Sequence, residues 1–374
     1  MIGVAGLLAL LQGPASTPAP SRSRYVGDAA CDQCHQGKLE SFHHTAHFLT
    51  SREPDKNSIL GKFTSGGNVL RTSNPELSFR MDQKESGFFE TALEGTGPAV
   101  AERSERIDLV VGSGGKGQTY AFWKGDRLFQ LPVSYWNEVG WVNSPGYRDG
   151  VANFDRPIVP RCLECHASYF EAEPTAPNRY KRDGYVVGIT CEKCHGPGRE
   201  HVSRESAKAG VADAAILNPA KFSRERQIDL CGWCHAGHGI ALGESFAYVP
   251  GQALSEYFEF PPPDPQAEID VHGNQVELLK RSRCFRGSGM TCMTCHDVHM
   301  VQRDTPAFSQ RCLGCHQVGT AMFPKKDHQA TSDCIDCHMP KLDTNLIVFS
   351  WNGKKVRPQV RSHWIKVYSG SGVH

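Results

Sequence analysis

Cysteine and histidine recur in one fixed order along this chain of 374 residues. Seven segments have the form Cys-x-x-Cys-His, and together they take fourteen of the 15 cysteines. We number them in chain order: motif 1 is Cys31, Cys34 and His35; motif 2 is Cys162, Cys165 and His166; motif 3 is Cys191, Cys194 and His195; motif 4 is Cys231, Cys234 and His235; motif 5 is Cys292, Cys295 and His296; motif 6 is Cys312, Cys315 and His316; motif 7 is Cys334, Cys337 and His338. Few kinds of site require a histidine directly after every cysteine pair.

This spacing is typical of covalent haem attachment. Two thiols can add across the two vinyl groups of haem, because cysteines at positions i and i+3 lie on one side of a helical turn. The histidine that follows then reaches the iron as its proximal ligand. Zinc sites usually combine two cysteine pairs, or one pair with spaced histidines. We therefore predict seven covalently bound haems c rather than zinc sites or disulfides, and we expect the remaining cysteine, Cys284, to be a small buried residue.

Composition excludes one class of partner and indicates how the fold is built. Lysine and arginine number 41 against 40 aspartates and glutamates, which does not suggest a nucleic-acid partner. Only 39% of the residues are hydrophobic, and there are 37 glycines and 23 prolines, so side chains alone fill a core poorly. Haems would replace the missing core. We predict a mainly α fold with extensive loops, wrapped around a chain of covalently bound haems, with a small β-rich insertion between motifs 1 and 2.

The long stretch without cysteine between motifs 1 and 2 carries the β-rich pattern. TYAFWKGDRLFQLPV, residues 119–133, alternates around a KGDR turn and predicts a β-hairpin. Its aromatic residues, and those just after it, either shield haem edges from water or form an ordinary small core. We divide the chain into a signal peptide and linker (1–24), a first haem-binding segment (25–60), a β-containing insertion (61–155) and a main multihaem domain with six motifs (156–374).

The N-terminal segment resembles a secretory signal. An apolar run from Ile2 to Leu11 precedes small residues and prolines, although no lysine or arginine comes before it. Covalent haem attachment takes place on the outer side of the bacterial inner membrane, which independently favours export. No other stretch approaches the ~18 apolar residues of a membrane span. We predict a periplasmic or extracellular protein with no transmembrane span in the mature chain.

Histidines outside the motifs are numerous enough to supply second axial ligands. Of 17 histidines, seven belong to the motifs and ten do not. All seven irons could therefore have two histidine ligands. His299 follows His296 by only three residues on the same helix side, so it cannot reach the far face of that haem. The same argument applies to His238 after His235.

Several blocks resemble the c-554-type multihaem cytochrome family. They are CDQCHQGKLESFHHTAH, CEKCHGPGREH, DVHGNQVELLKRSRCFRGSGMTCMTCHDVH, and HQATSDCIDCHMP followed by RSHW. The resemblance covers most of the chain from Tyr25 onward. It implies six distal haem ligands at the matching positions, namely His47, His201, His272, His299, His328 and His363. In such families a distal histidine generally serves a haem other than its neighbour in sequence.

The seventh distal position stays open. His238 is our preferred candidate, because its spacing from motif 4 mimics that of His299 from motif 5. His43 and His44 of the first block are alternatives, whereas His374 is the last residue and is expected to be frayed. A further alternative is an iron with no sixth protein ligand.

The expected ligand set favours electron transfer over catalysis. Iron with two histidine ligands has no position for substrate, so its chemistry is one-electron exchange. We therefore predict an exported heptahaem c-type cytochrome that exchanges electrons with redox protein partners. The first alternative is a reductase or oxidase of small nitrogen or sulfur oxyanions, which would need one open iron, at motif 2 or motif 4. The second is a subunit of a haem filament or outer-membrane conduit.

Overall fold

The helices of this protein are short. The computed structural model describes residues 20–207, 215–262, 269, 274–317, 333–344, 347–351 and 353–368. Outside these described residues lie the apolar run near the N-terminus, the predicted distal ligands His272 and His328, and the C-terminal His374. The helices are α1 (Asp28–Phe42), α2 (Pro160–His166), α3 (Cys191–His195), α4 (Arg199–Ser206), α5 (Arg224–His235), α6 (Gln275–Lys280), α7 (Arg283–Arg286), α8 (Thr305–Leu313) and α9 (Cys334–His338). Within these described ranges, no helix is long and apolar enough to cross a membrane.

Strands run through much more of the chain than the insertion. They are β1 (Ser51–Arg52), β2 (Val69–Arg71), β3 (Leu77–Lys84), β4 (Gly87–Glu94), β5 (Ala101–Arg106), β6 (Leu109–Val111), β7 (Gly117–Lys124), β8 (Arg127–Trp136), β9 (Gly140–Asn143), β10 (Arg156–Pro157), β11 (Ala167–Ala172), β12 (Tyr180–Val187), β13 (Ile240–Ala241), β14 (Phe258–Glu259), β15 (Lys341–Asp343), β16 (Phe349–Trp351), β17 (Lys354–Val356) and β18 (Gln359–Arg361). The prediction of a mainly α fold is wrong, because a large part of the protein is β-rich.

Two antiparallel sheets dominate the β-rich part. The large sheet has the order β1-β6-β7-β8-β9-β16-β17, with β10 paired to β8, and the smaller sheet has the order β2-β3-β4-β5. The predicted hairpin is confirmed, since β7 and β8 pair from Lys124 opposite Arg127 outward. Two-stranded ribbons form from β11 with β12, β13 with β14, and β15 with β18.

The core between these two sheets is aromatic. Phe79 and Phe88 of the smaller sheet share one hydrophobic cluster with residues of the large sheet. Of the aromatic residues in and after the hairpin, Tyr120, Phe122 and Trp141 belong to this cluster, and Phe129 and Tyr135 pack against it. Burying each such side chain contributes about 1.5–3 kcal/mol. The ordinary-core interpretation of these aromatics is therefore the one that the structure favours.

A second hydrophobic cluster joins the large sheet to motif 2. Leu109 and Leu128 of the sheet pack with Leu163, which lies between the two cysteines of motif 2. Phe170 of β11 and Tyr180 of β12 complete the contact. The sheet therefore supports motif 2 directly.

There is a physical reason why the protein contains more β-strand than the sequence predicts. The segments between motifs must pair their backbone N–H and C=O groups, and antiparallel pairing does so without needing a long amphipathic helix. Many of these strands have only two or three residues. Such strands are too short to show the alternation that predicts a strand from sequence.

A buried acid, Glu90 on β4, makes the stability of the β-rich part depend on pH. Its Oε1 accepts a hydrogen bond from the Val133 N–H at 2.9 Å, whereas Oε2 has no hydrogen-bond partner among the described residues. Burial raises the pKa of Glu90 well above its ordinary 4.5. The pKa of Glu90 is higher in the folded state than in the unfolded state. The contribution of Glu90 to the free energy of unfolding is therefore fully present below the unfolded-state pKa and is lost as pH rises through the folded-state pKa.

Replacing Glu90 with glutamine is expected to remove this dependence. Between the two pKa values, the wild type loses about 1.4 kcal/mol of unfolding free energy per pH unit from this one group. Urea unfolding of wild type and Glu90→Gln at pH 5 and pH 8 measures the difference. The matched control is Glu85→Gln, at the exposed turn between β3 and β4. Its unfolding free energy should depend on pH as that of the wild type does. Equal pH dependence in wild type and Glu90→Gln would contradict the assignment.

Candidate haem centres

Each motif sits on a helical turn. Helices α2, α3, α5 and α9 all end at the histidine of their motif. Motif 1 lies within α1, where His35 departs from helical geometry with φ −117° and ψ 33°. In motifs 5 and 6 the histidine N–H donates to the carbonyl oxygen of the first cysteine, at 2.9 Å and 2.8 Å. The two cysteines and the histidine of a motif therefore lie close together along one turn.

Cysteines of different motifs lie close enough to shift one another's pKa. The Cys191 thiol lowers the pKa of Cys31, the Cys234 thiol lowers the pKa of Cys165, and the Cys292 thiol raises the pKa of Cys231. These pairs link motif 1 to motif 3, motif 2 to motif 4, and motif 4 to motif 5. Motifs 5 to 7 also adjoin, since burial and then the neighbouring Cys334 and Cys295 raise the pKa of Cys312 to about 11. Haem would be attached through these thiols at its edge, so thiols that lie close together would place two haem edges close together.

Three histidines outside the motifs face histidines within them. The ring centroids are 6.2 Å apart for His47 and His235, 6.1 Å for His299 and His195, and 6.3 Å for His363 and His296. Each pair joins a distal candidate to a motif other than its neighbour in sequence. Two imidazoles on opposite sides of one metal ion, with nitrogens about 2 Å from it, have centroids about 6 Å apart. The three pairs therefore fit one iron each.

Burial keeps these rings in the form that binds metal. Burial, and after it the neighbouring histidines, lower the pKa of His47 and that of His363 to about 4. Burial also lowers the pKa of His195, His235 and His296. Iron is bound by the unprotonated imidazole nitrogen. At neutral pH these rings are therefore available as ligands.

The Nδ1 atom of three motif histidines is fixed by a hydrogen-bond partner. The Nδ1 atoms lie 2.7 Å from the Leu217 carbonyl oxygen for His195, 2.9 Å from the Lys366 carbonyl oxygen for His338, and 2.9 Å from Thr50 Oγ1 for His166. A carbonyl accepts, so Nδ1 carries the proton and Nε2 keeps the lone pair for a metal. Partners of this kind fix the orientation of a ligating ring.

Comparison with known proteins finds similarity to a family model and to a solved structure. The family model for cytochrome c554 and c-prime matches residues 141–196, which contain motifs 2 and 3. This match and the seven motifs support a multihaem c-type cytochrome. The fold of this chain is similar to that in the crystal structure of the outer cell wall cytochrome OcwA, with 18% sequence identity, 92% of this chain and 80% of that chain covered, and a TM-score of 0.56. No curated protein matches the chain.

Glu192, between the two cysteines of motif 3, is a buried carboxylate that is not among the site residues predicted from the sequence. Glu192 is 3% exposed. Its Oε1 accepts from the Val26 N–H at 2.9 Å and the Gly198 N–H at 2.8 Å, and its Oε2 accepts from the Gly27 N–H at 2.9 Å. Because Val26 and Gly27 lead into α1, this side chain ties motif 1 to motif 3. A charge inside a buried motif was the signal that could have revealed it.

A second cluster of charges joins motifs 2, 3 and 4. Lys193 of motif 3 is buried with its Nζ 3.6 Å from the ring centroid of Trp233 in motif 4. Burial lowers the pKa of Lys193 to about 8, against the opposing effect of nearby thiols and Glu164. Arg161 Nη2 donates to the Trp233 carbonyl oxygen at 2.8 Å, and Nη1 lies 3.5 Å from the carboxylate of Glu164 in motif 2. Residues between the cysteines thus hold the three motifs together.

Glu164 also supports an unusual backbone position. Its Oε1 accepts a hydrogen bond from the Phe246 N–H at 2.7 Å. Phe246 has a φ of 61°, in the left-handed region that non-glycine residues seldom adopt. The buried carboxylate therefore fixes the segment that follows motif 4 against motif 2.

The remaining candidates of the cytochrome lie as follows. His43 stacks on Phe48 with centroids 4.0 Å apart, and its Nε2 lies 3.5 Å from the carboxylate of Asp28. His44 is exposed. His201 lies in α4, His238 lies in the turn after α5, and Cys284 lies half-buried in α7 near Cys295 and Cys312. The ligand roles of His201 and His238 stay predictions, whereas His43 is engaged by protein groups.

Proposed function

We propose that this cytochrome is an exported heptahaem electron-transfer protein whose haems are closely packed and mostly have two histidine ligands. The observation that carries the proposal is the separation of 6.1–6.3 Å between the centroids of three facing histidine pairs. In this proposal His47 completes motif 4, His299 completes motif 3 and His363 completes motif 5. A cavity of about 560 Å³ lined by Cys34 and His35 offers room for a haem at motif 1.

The protein supplies position and surroundings for this chemistry. A bound haem provides one-electron exchange between ferric and ferrous iron. Two histidine ligands would leave the iron no open position for substrate. The thiols of different motifs lie close together, so haems attached there would have neighbouring edges, which favours electron exchange. Buried charges between the cysteines hold the motifs in register.

Export is part of the proposal. The apolar run near the N-terminus supports it, and so does the covalent attachment that seven motifs imply. Expression with and without residues 1–24 in a bacterium that matures c-type cytochromes tests it. We expect covalent haem in the periplasmic fraction only with these residues present. Equal haem incorporation without them would contradict export through this segment.

The haem count and the spin state test the main proposal. Mass spectrometry of the mature protein should show seven covalent haems. Electron paramagnetic resonance and resonance Raman spectra of the oxidised protein should show mostly low-spin, six-coordinate iron. Fewer haems, or mostly high-spin iron, would overturn the proposal.

The same spectra separate electron transfer from the oxyanion reductase or oxidase considered above. That alternative requires one high-spin iron that binds nitrite or hydroxylamine. All seven irons low-spin and unreactive would exclude it. The facing of His47 and His235 already argues against an open iron at motif 4.

A further inference from the structure

The segment from His47 to Arg52, which we call the strap, is fixed on one side to the large sheet. The Thr50 carbonyl oxygen accepts from the Gly112 N–H at 2.7 Å. Ser51 and Arg52 form β1, which pairs with β6. Arg52 Nη2 donates to the Ser58 carbonyl oxygen at 2.7 Å. The backbone on both sides of the Thr50 side chain therefore has little freedom.

The other side of the strap is fixed to the segments of motifs 2 and 3. The His47 carbonyl oxygen accepts from the Ile189 N–H at 3.0 Å, and Ser51 Oγ accepts from the Gly188 N–H at 2.9 Å. Ser51 Oγ also donates to the carbonyl oxygen of His166. Gly188 has a φ of 68°, and a Cβ there would collide with the Phe48 carbonyl oxygen, so only glycine permits this approach.

Thr50 is the side chain that the strap presents to motif 2. Its Oγ1 lies 2.9 Å from His166 Nδ1. If Nε2 binds the iron, Nδ1 carries the proton and donates to the hydroxyl oxygen. His195 and His338 meet backbone carbonyls at the same position, whereas His166 meets a side chain. This hydrogen bond can therefore be removed by one substitution, without moving the backbone.

We propose that Thr50 is a positioning residue that fixes the proximal ring of the motif 2 haem and lowers its reduction potential. The proposal rests on the proposed function, because it takes His166 as an iron ligand. An acceptor at Nδ1 makes the imidazole a stronger donor to the metal. A stronger donor stabilises ferric iron relative to ferrous iron. The same strap carries His47, so one rigid segment serves both motif 2 and motif 4.

The test compares Thr50→Val with Thr50→Ser in the full haem-loaded protein. Valine matches threonine in size but cannot accept the hydrogen bond, whereas serine keeps the hydroxyl. In a spectroelectrochemical titration, Thr50→Val should raise the midpoint potential of one haem and leave the others unchanged. Thr50→Ser should titrate as the wild type does. Thr50→Ala, which removes the hydroxyl without adding a methyl group, should shift the same haem in the same direction.

Two outcomes would overturn the role of Thr50. One is a wild-type titration curve for both Thr50→Val and Thr50→Ala, and the other is an equal shift in Thr50→Ser, since that would reflect packing rather than the hydroxyl. Peptide mapping by mass spectrometry shows whether haem is attached at Cys162 and Cys165. A peptide without haem would overturn the function proposed for motif 2 as well, whereas an attached haem with no shift overturns the Thr50 proposal alone.

Discussion

Replacing His47 with alanine is expected to convert one iron per protein from low-spin to high-spin. The ring of His47 faces that of His235 with centroids 6.2 Å apart, and burial keeps it neutral. Alanine cannot supply an axial nitrogen, so the iron of motif 4 would keep His235 alone. Electron paramagnetic resonance of the oxidised variant should show a new high-spin signal that integrates to one iron. After reduction, carbon monoxide should bind at that iron and change the visible spectrum.

The matched control is His44→Ala on the same segment. His44 is exposed and lies three residues before His47. Its replacement should therefore leave the spin state of every iron as in the wild type. A low-spin spectrum for His47→Ala would contradict the pairing with motif 4. The same change in both variants would show that the segment, and not the His47 ring, determines the spin state.

The haem motifs could be recognised from sequence because their chemistry is contained in five consecutive residues. The facing histidine pairs could not, because each joins parts of the chain that only the fold brings together. His47 and His235 illustrate this, since His47 lies in the turn after α1 and His235 ends α5, far apart in sequence. Sequence did provide one exclusion. His299 could not serve its own motif, and the structure faces it toward His195 of motif 3.

The fold class was misjudged because the sequence pattern of the strands is uneven. The β7–β8 hairpin has long strands with clear alternation, and it was predicted. The strands β15 to β18 have three residues each, yet β16 pairs with β9 and β17 pairs with β16, which completes the large sheet. A strand of three residues has no period to detect, so its partner decides its conformation.

The charged residues between the cysteines were overlooked for a different reason. In a motif recognised by its cysteines and histidine, the two intervening positions look unconstrained. Glu164, Glu192 and Lys193 occupy such positions and are all buried. A buried charge is tolerated only when it is paired or accepts hydrogen bonds. The residues at these positions therefore depend on how neighbouring motifs pack together, which the attachment chemistry alone does not determine.

Replacing Glu192 with alanine is expected to destabilise the cytochrome by about 3 kcal/mol or more, since a buried N–H left without an acceptor costs about 1–3 kcal/mol. Three N–H groups would lose their acceptor: those of Val26, Gly27 and Gly198. The first two lead into α1, so the junction of motifs 1 and 3 should loosen first. Glu192→Gln keeps one acceptor oxygen and should lie between alanine and wild type. Urea unfolding, followed by circular dichroism, measures the series.

A matched control separates this effect from the loss of any negative charge near motif 3. Glu200 lies on α4, is 56% exposed and pairs with Arg204 across one turn. Surface pairs of this kind contribute little, so Glu200→Ala should unfold close to wild type. If Glu192→Ala were as stable as Glu200→Ala, the carboxylate would not be what joins motif 1 to motif 3. If instead only Glu192→Ala is destabilised, a residue outside the attachment chemistry joins motif 1 to motif 3.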